Sequence, residues 1–491
     1  MNKLLYFLII VVFAGFVVQR AFNPFEEDQK IFFASANISN ASAKHFPGNV
    51  LETFELKPFY NRAVYYGIYK LAQPLHLWEN KYSFIVAVQM IFLSFLVLGA
   101  YLFSRSHNAS VKNQWKLFFI TSIFLVTAGS DSFMQAEHLA IGLLLYAVFF
   151  LSQQKLVFDI IAGILLGYVA GLKGITLLYA GAVLVFSFFY FRKSNYWIVS
   201  LALVIVFGTS ILISWKELET AKLLQGNGLN LRRFFDYFRI TYRFVCIDQA
   251  YMLSLVCCLV LIVLVWIKNK KDKPLFWKFI FPAALMFALV VPTVVLQVGF
   301  SYHYFGLLLF LLLLTRSVLQ FEGTAYFAML KKFIDLRIAL PALLMYLFFS
   351  TPVISHSKNV MQYNLSNFRS EIAVNDSISK IIPAGERVLF LTDGVLNFYS
   401  RNPSACYEFF PITINRLMPK YPSIPVKLKP RYEATLSCIK NFTGNYIVLG
   451  ENWLPKEKYP GVYPDSNYVA VANLRSVQRT YLVYKRRTKE Q

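Results

Sequence analysis

Charge is scarce in this sequence. Only 15% of its 491 residues are Asp, Glu, Lys or Arg, against about 25% in a typical soluble chain. Acids are the scarcer sign, with 26 Asp+Glu against 49 Lys+Arg. Cysteine is scarce too. The five residues, at 246, 257, 258, 406 and 438, include no CxxC pair, which argues against a zinc ribbon or a thioredoxin-like motif. There is no internal repeat, low-complexity tract or inverted-repeat signature.

Apolar residues dominate instead. The AVILMFWYC set makes up 57%. With the 30 Tyr exchanged for the 22 Gly the share is roughly 55%, above the usual 45–50%. In a soluble protein the net charge of +23 would suggest nucleic-acid binding. The apolar majority points instead to a membrane protein with no nucleic-acid partner.

A bilayer span needs about 20 mainly apolar residues. Stretches near 3–19, 82–103, 115–129, 138–152, 156–171, 174–191, 196–214, 250–267, 278–296, 304–319 and 338–354 fit, eleven in all. The first follows Met1-Asn2-Lys3, and Val18-Gln19-Arg20-Ala21-Phe22 offers no small-x-small cleavage site. We therefore expect an uncleaved helix that starts in the cytoplasm. The segments this layout places inside carry 16 basic residues against Asp272, Glu322 and Asp335, as the positive-inside rule requires. The tail 355–491 holds 19 basic and 10 acidic residues, so the rest of the chain is almost neutral.

The expected fold is a mainly α polytopic protein, residues 1–354, followed by a small extracytoplasmic α/β domain, residues 355–491. In the tail, a helix-like stretch at 369–382 precedes β-like runs at 387–391, 446–449, 468–471 and 480–484. Cys406 and Cys438 are alone together there and are candidates for one disulfide in an oxidising compartment. Two outer loops are long. Loop 20–81 has helical stretches near 26–36 and 58–73. Loop 215–249 alternates aromatic and basic residues at helical spacing, as an interfacial helix does.

Candidate chemistry falls on the outer face. Glu26-Glu27-Asp28 follow the first span directly. Crowded like charges raise a carboxyl pKa, which suits a general base or a metal site; a solvated helix start also favours acids. Lys57 and Arg62 flank a second helix start and would grip a phosphate, or lie as snorkelling interfacial cations. Asp131, Glu137 and His138 stand at the mouth of a span, where charge is costly unless used or solvated. Gln297, His303 and Tyr304 precede the tenth span.

This pattern resembles the GT-C superfamily of integral-membrane glycosyltransferases, and most of all the bacterial relatives of protein O-mannosyltransferases and of the lipid A aminoarabinose transferase. The resemblance rests on the acids after the first span, on Lys57-Pro58, on Gln297 and His303-Tyr304, on the run Gly167–Lys173 that ends in a base, and on Arg401-Asn402-Pro403 after a strand in a C-terminal α/β domain. Where the family usually has Asp-Glu or Asp-Asp, this chain has Glu26-Glu27-Asp28. It also lacks the doubled proline.

The resemblance implies transfer of a sugar from a polyprenyl-phosphate carrier to a hydroxyl of a glycan, lipid or protein, with inversion, at the outer face of a bacterial inner membrane. Asp28, Glu27 or Glu26 would be the base. Lys57, Arg62, Arg232, Arg233, His303 and Tyr304 would hold the donor phosphate. Asp131, Glu137 and His138 would complete a divalent metal site for Mg or Mn, if one is needed. The alternatives are a transporter or lipid flippase, which needs charges near the midplane, and a surface-polysaccharide polymerase or ligase using the same carrier.

Overall fold

The computed structural model describes residues 10–11, 13–15, 17–18, 21–25, 27–42, 59–106, 111–126, 134–173, 175–191, 195–213, 276–296, 305–320, 351–406, 426, 429–451, 453, 456 and 463–487. The fold is mostly helical with one small sheet near the C-terminus. The helices are α1 (Glu27–Ser42), α2 (Phe59–Ala72), α3 (Lys81–Arg105), α4 (Val111–Val126), α5 (Ala136–Ser152), α6 (Leu156–Leu172), α7 (Thr176–Tyr190), α8 (Tyr196–Ile213), α9 (Phe281–Leu296), α10 (Phe305–Gln320), α11 (Thr351–Ile381), α12 (Leu396–Tyr399) and α13 (Lys429–Lys440). A short π-helical turn, Phe276–Ile280, leads into α9. The strands are β1 (Val388–Leu391), β2 (Tyr446–Gly450), β3 (Tyr468–Arg475) and β4 (Thr480–Arg486).

Among the described residues, α3 and α8 are long and apolar enough to cross a membrane, and α5, α6, α7 and parts of α9 and α10 are shorter apolar helices. Eight of the eleven expected spans coincide with described helices, α3 to α10. The one near 250–267 lies outside the described residues, and so do most of 3–19 and most of 338–354, whose last four residues open α11.

The chain divides into two compact units. One comprises residues 1–22, 87–210 and 228–359; the other comprises 23–86, 211–227 and 360–491. Most of loop 20–81 therefore clusters with the C-terminal domain rather than with the apolar helices.

In the first unit, small residues set how closely α6 and α8 approach. A Cβ on Gly163 would lie 2.6 Å from the Val199 carbonyl oxygen, and one on Gly167 would lie 2.7 Å from that of Leu203. Glycines four apart share a helix face, and this face lets the backbones touch. Polar contacts mark the two ends of the packing. At one end, buried Arg316 donates from Nε to Ser106 Oγ at 3.0 Å and from Nη2 to the Ser106 carbonyl at 2.6 Å. The rings of Phe186 and Phe191 flank its guanidinium. Nearby, Tyr196 donates to the Phe191 carbonyl at 2.7 Å, and the Asn195 backbone N–H donates to Asp159 at 2.9 Å. At the other end, Glu137 pairs with Lys173, Ser210 donates to the Gly171 carbonyl at 3.1 Å, and the His138 ring stacks on Phe305.

The second unit is built around the sheet, ordered β1-β2-β4-β3, with β1 and β2 parallel and the other pairings antiparallel. The strands form where the sequence placed them, because β1 and β2 are continuous apolar runs buried on both faces. On one face Leu389, Leu391, Ile447 and Leu449 pack with Tyr432 and Ile439 of α13 and with Cys406. On the other, Val388, Phe390 and Val448 pack with Val374 and Ile378 of α11 and with Tyr481 and Val483 of β4. Cys406 and Cys438 form a disulfide with a Cα–Cα distance of 5.9 Å. Asn402 clasps the turn before β1, donating to the carbonyls of Pro383 at 2.8 Å and Glu386 at 3.1 Å.

Candidate functional site

Helix α1 begins at Glu27, so Glu27 and Asp28 lie in its first turn, where the helix macrodipole favours negative charge. Asn23, Pro24 and Phe25 lead into it and are buried. The Phe25 ring stacks on Phe33 at 5.3 Å and meets Phe84 and Phe398 edge-on. Phe33 in turn meets Tyr65 of α2 and Phe84 of α3 at 5.0 and 4.9 Å. Edge-to-face geometry matches the ring quadrupoles. The start of α1 is thus seated in an aromatic cluster drawn from α2, α3 and α12.

A charged contact adds direction to that apolar seat. Lys30, 2% exposed, donates to Glu371 Oε2 at 2.8 Å, and Glu371, 1% exposed, sits on α11. Arg479 Nη1 donates to the other oxygen of the same carboxylate at 3.1 Å, and Arg479 Nε donates to Asp393 Oδ2 at 2.5 Å. The four side chains form a neutral network of two acids and two bases. Buried ionic groups survive only when paired and hydrogen-bonded in this way. Tyr399 lies against it, with Lys30 Nζ 5.6 Å from the ring centroid. Burial first, and the Glu371 carboxylate second, hold the Tyr399 hydroxyl well above its ordinary pKa of 10.0.

In the other unit, Glu137 and His138 stand in the first turn of α5. Glu137 is 1% exposed and ion-paired with Lys173, which follows α6. The His138 ring lies between Phe305, stacked at 4.8 Å, and Phe92, edge-on at 5.2 Å. The Phe305 contact joins the mouth of α5 to that of α10, immediately after His303-Tyr304. Glu137 thus meets a lysine, and the His138 ring meets two aromatic rings. Among the described residues no group of three or more His, Cys, Asp or Glu side chains is placed to hold a metal ion.

The other expected site residues fall outside the described residues: Glu26, Lys57, Asp131, Arg232, Arg233, His303 and Tyr304, together with the side chains of Glu27, Asp28 and Arg62. The network of Lys30, Glu371, Asp393 and Arg479 was not expected from the sequence. A signal for it exists nonetheless. On α11 the buried positions run Asn367, Phe368, Glu371, Val374, Ile378, and Ile382 follows. Glu371 is a carboxylate on an apolar helical stripe, and so needs a buried cation. The chain matches no known protein-family model and none of the curated proteins with which it was compared.

Proposed function

We propose that this protein is an integral-membrane glycosyltransferase that moves a sugar from a polyprenyl-phosphate carrier to a hydroxyl acceptor on the outer face of the membrane. The observation that carries the reading is the seating of α1. Glu27 and Asp28 stand in the first turn of a helix whose body is held by an aromatic cluster and by the ion pair of Lys30 with Glu371. A general base must be held in one geometry to work, and this helix is held.

Two further observations support the topology. Ser106, Asp159, Phe191, Asn195 and Arg316, which border the basic loops, meet at one end of their unit. Glu137, His138, Lys173 and Phe305 meet at the other. That is the separation an alternating run of eleven spans requires. The Cys406–Cys438 disulfide favours an oxidising, extracytoplasmic setting for the C-terminal domain. The transporter reading draws less support: Asp159 and Lys173 sit at helix ends with polar partners, not at mid-span.

In this mechanism the carrier tail stays in lipid while its phosphate lies at the interface. Lys57 and Arg62 hold that phosphate. Asp28 or Glu27 takes the acceptor proton as the hydroxyl attacks the anomeric carbon, and the carrier phosphate leaves. A single displacement inverts that centre.

The test is substitution of the acids. Asp28→Asn or Glu27→Gln removes the base without adding bulk, and transfer falls about a hundredfold or more while membrane insertion and the disulfide are unchanged. Full transfer by both single variants and by the double variant refutes the assignment.

A further inference from the structure

We propose that Glu371 is a positioning residue for the acidic head of α1, acting through Lys30. The inference rests on the transferase reading above for its catalytic consequence, but its structural half stands alone.

Asp28 and Glu27 precede Lys30 by two and three residues, less than one turn of the same helix. A shift of Lys30 therefore passes to them almost undiminished. The apolar face of α1 meets rings of Tyr65 and Phe84, while Phe25 just before it meets Phe398, and such contacts tolerate small slides. The Lys30–Glu371 bond does not. It is short, buried and directional, and the carboxylate that receives it is held from its other oxygen by Arg479. Asp393 fixes Arg479 in turn. Both of these latter residues border the sheet, Asp393 two residues after β1 and Arg479 in the β3–β4 turn, so the sheet is the reference against which α1 is registered.

A structural role alone explains this less well. Replacing a buried ion pair with apolar side chains of like volume is often neutral or stabilising. The best-attested advantage of such a pair is register, and register here is the placement of the first turn of α1, which carries Glu27 and Asp28.

The experiment uses the full chain in lipid nanodiscs. Lys30→Met/Glu371→Gln keeps the remaining Arg479–Asp393 pair neutral, so no uncompensated charge is left to unfold the domain. Lys30→Arg is the conservative variant. Two readouts are taken: amide exchange of the 27–36 segment against that of β2 and β4, and kcat and KM for the lipid-linked donor. In the double variant, exchange at 27–36 rises at least about tenfold with the strands unchanged. Its kcat falls about a hundredfold with KM shifted less than about threefold. Lys30→Arg restores most of both.

Unchanged exchange at 27–36 overturns the proposal. So does a rise that spreads equally to β2 and β4, or faster exchange with kcat intact. Wild-type protein that transfers from no donor refutes the transferase reading instead; the exchange result then still decides whether Glu371 registers the head of α1.

Discussion

Glu371 accepts a cation on each carboxylate oxygen, Lys30 on one and Arg479 on the other, and the consequences can be measured one residue at a time. Arg479→Met leaves Asp393 without its partner and leaves Lys30 alone to balance Glu371. Breaking a buried network from one side costs about 3–5 kcal/mol, so we expect a clear fall in the melting temperature of the detergent-solubilised protein. Tyr399 gives a pH signature. Its folded-state pKa lies above its ordinary value of 10.0, so above that pH the unfolded chain loses the proton first. Stability from this group is complete below the ordinary pKa and is lost as pH rises towards the folded value. Tyr399→Phe should flatten the alkaline decline in melting temperature; an identical decline in the variant would deny the shift. Site residues were partly legible at this scale. The acidic run stood out because adjacent acids are rare in a chain with 26 Asp+Glu among 491 residues. Lys30 closed that run and drew no notice, because its partner lies 341 residues away and no local pattern reports a contact of that range.

Elements were more legible than residues, because periodicity is local. Apolar runs located the helices from α3 to α10, and short β-branched and aromatic runs located the four strands. What periodicity does not carry is which helix face meets which neighbour. The glycine pair on α6 is an example: as part of a glycine-rich span it looked like a family feature, yet its physical role is contact with α8. A side chain at Gly163 or Gly167 would strike main-chain oxygens of Val199 or Leu203. Gly163→Leu should therefore destabilise by about 1–3 kcal/mol through forced separation of the helices. Gly181 on α7 is the contrast. A Cβ there meets nothing nearer than the Leu289 side chain at 3.7 Å. Gly181→Ala should be neutral or stabilise by up to about 1 kcal/mol from helix propensity. Thermal unfolding of both variants in one detergent separates the two cases, and equal effects would deny the close approach.

For the whole molecule, composition announced an apolar, mostly helical chain with a compact α/β end, and the fold has that form. Composition did not reveal that residues 23–86 cluster with the C-terminal sheet. Sequence order suggests otherwise, and only long-range pairing of buried rings and charges decides it. The disulfide belongs to this scale too. It closes a loop with a sequence separation of 32, for which chain-entropy arguments give about 3–4 kcal/mol. Cys406→Ala/Cys438→Ala should lower the melting temperature accordingly. If the C-terminal domain is extracytoplasmic, these thiols in intact cells should react with a membrane-impermeant maleimide only after reduction.

Sugar transfer from a lipid-linked donor can be measured in membranes. Membranes containing this protein are incubated with a panel of radiolabelled polyprenyl-phosphate sugars, beside membranes from cells that lack it. The expected result is protein-dependent loss of label from one carrier and its appearance in a hydroxyl-bearing acceptor, abolished by Glu27→Gln/Asp28→Asn. Retention of label on every carrier, or transfer that survives loss of both carboxylates, would contradict it.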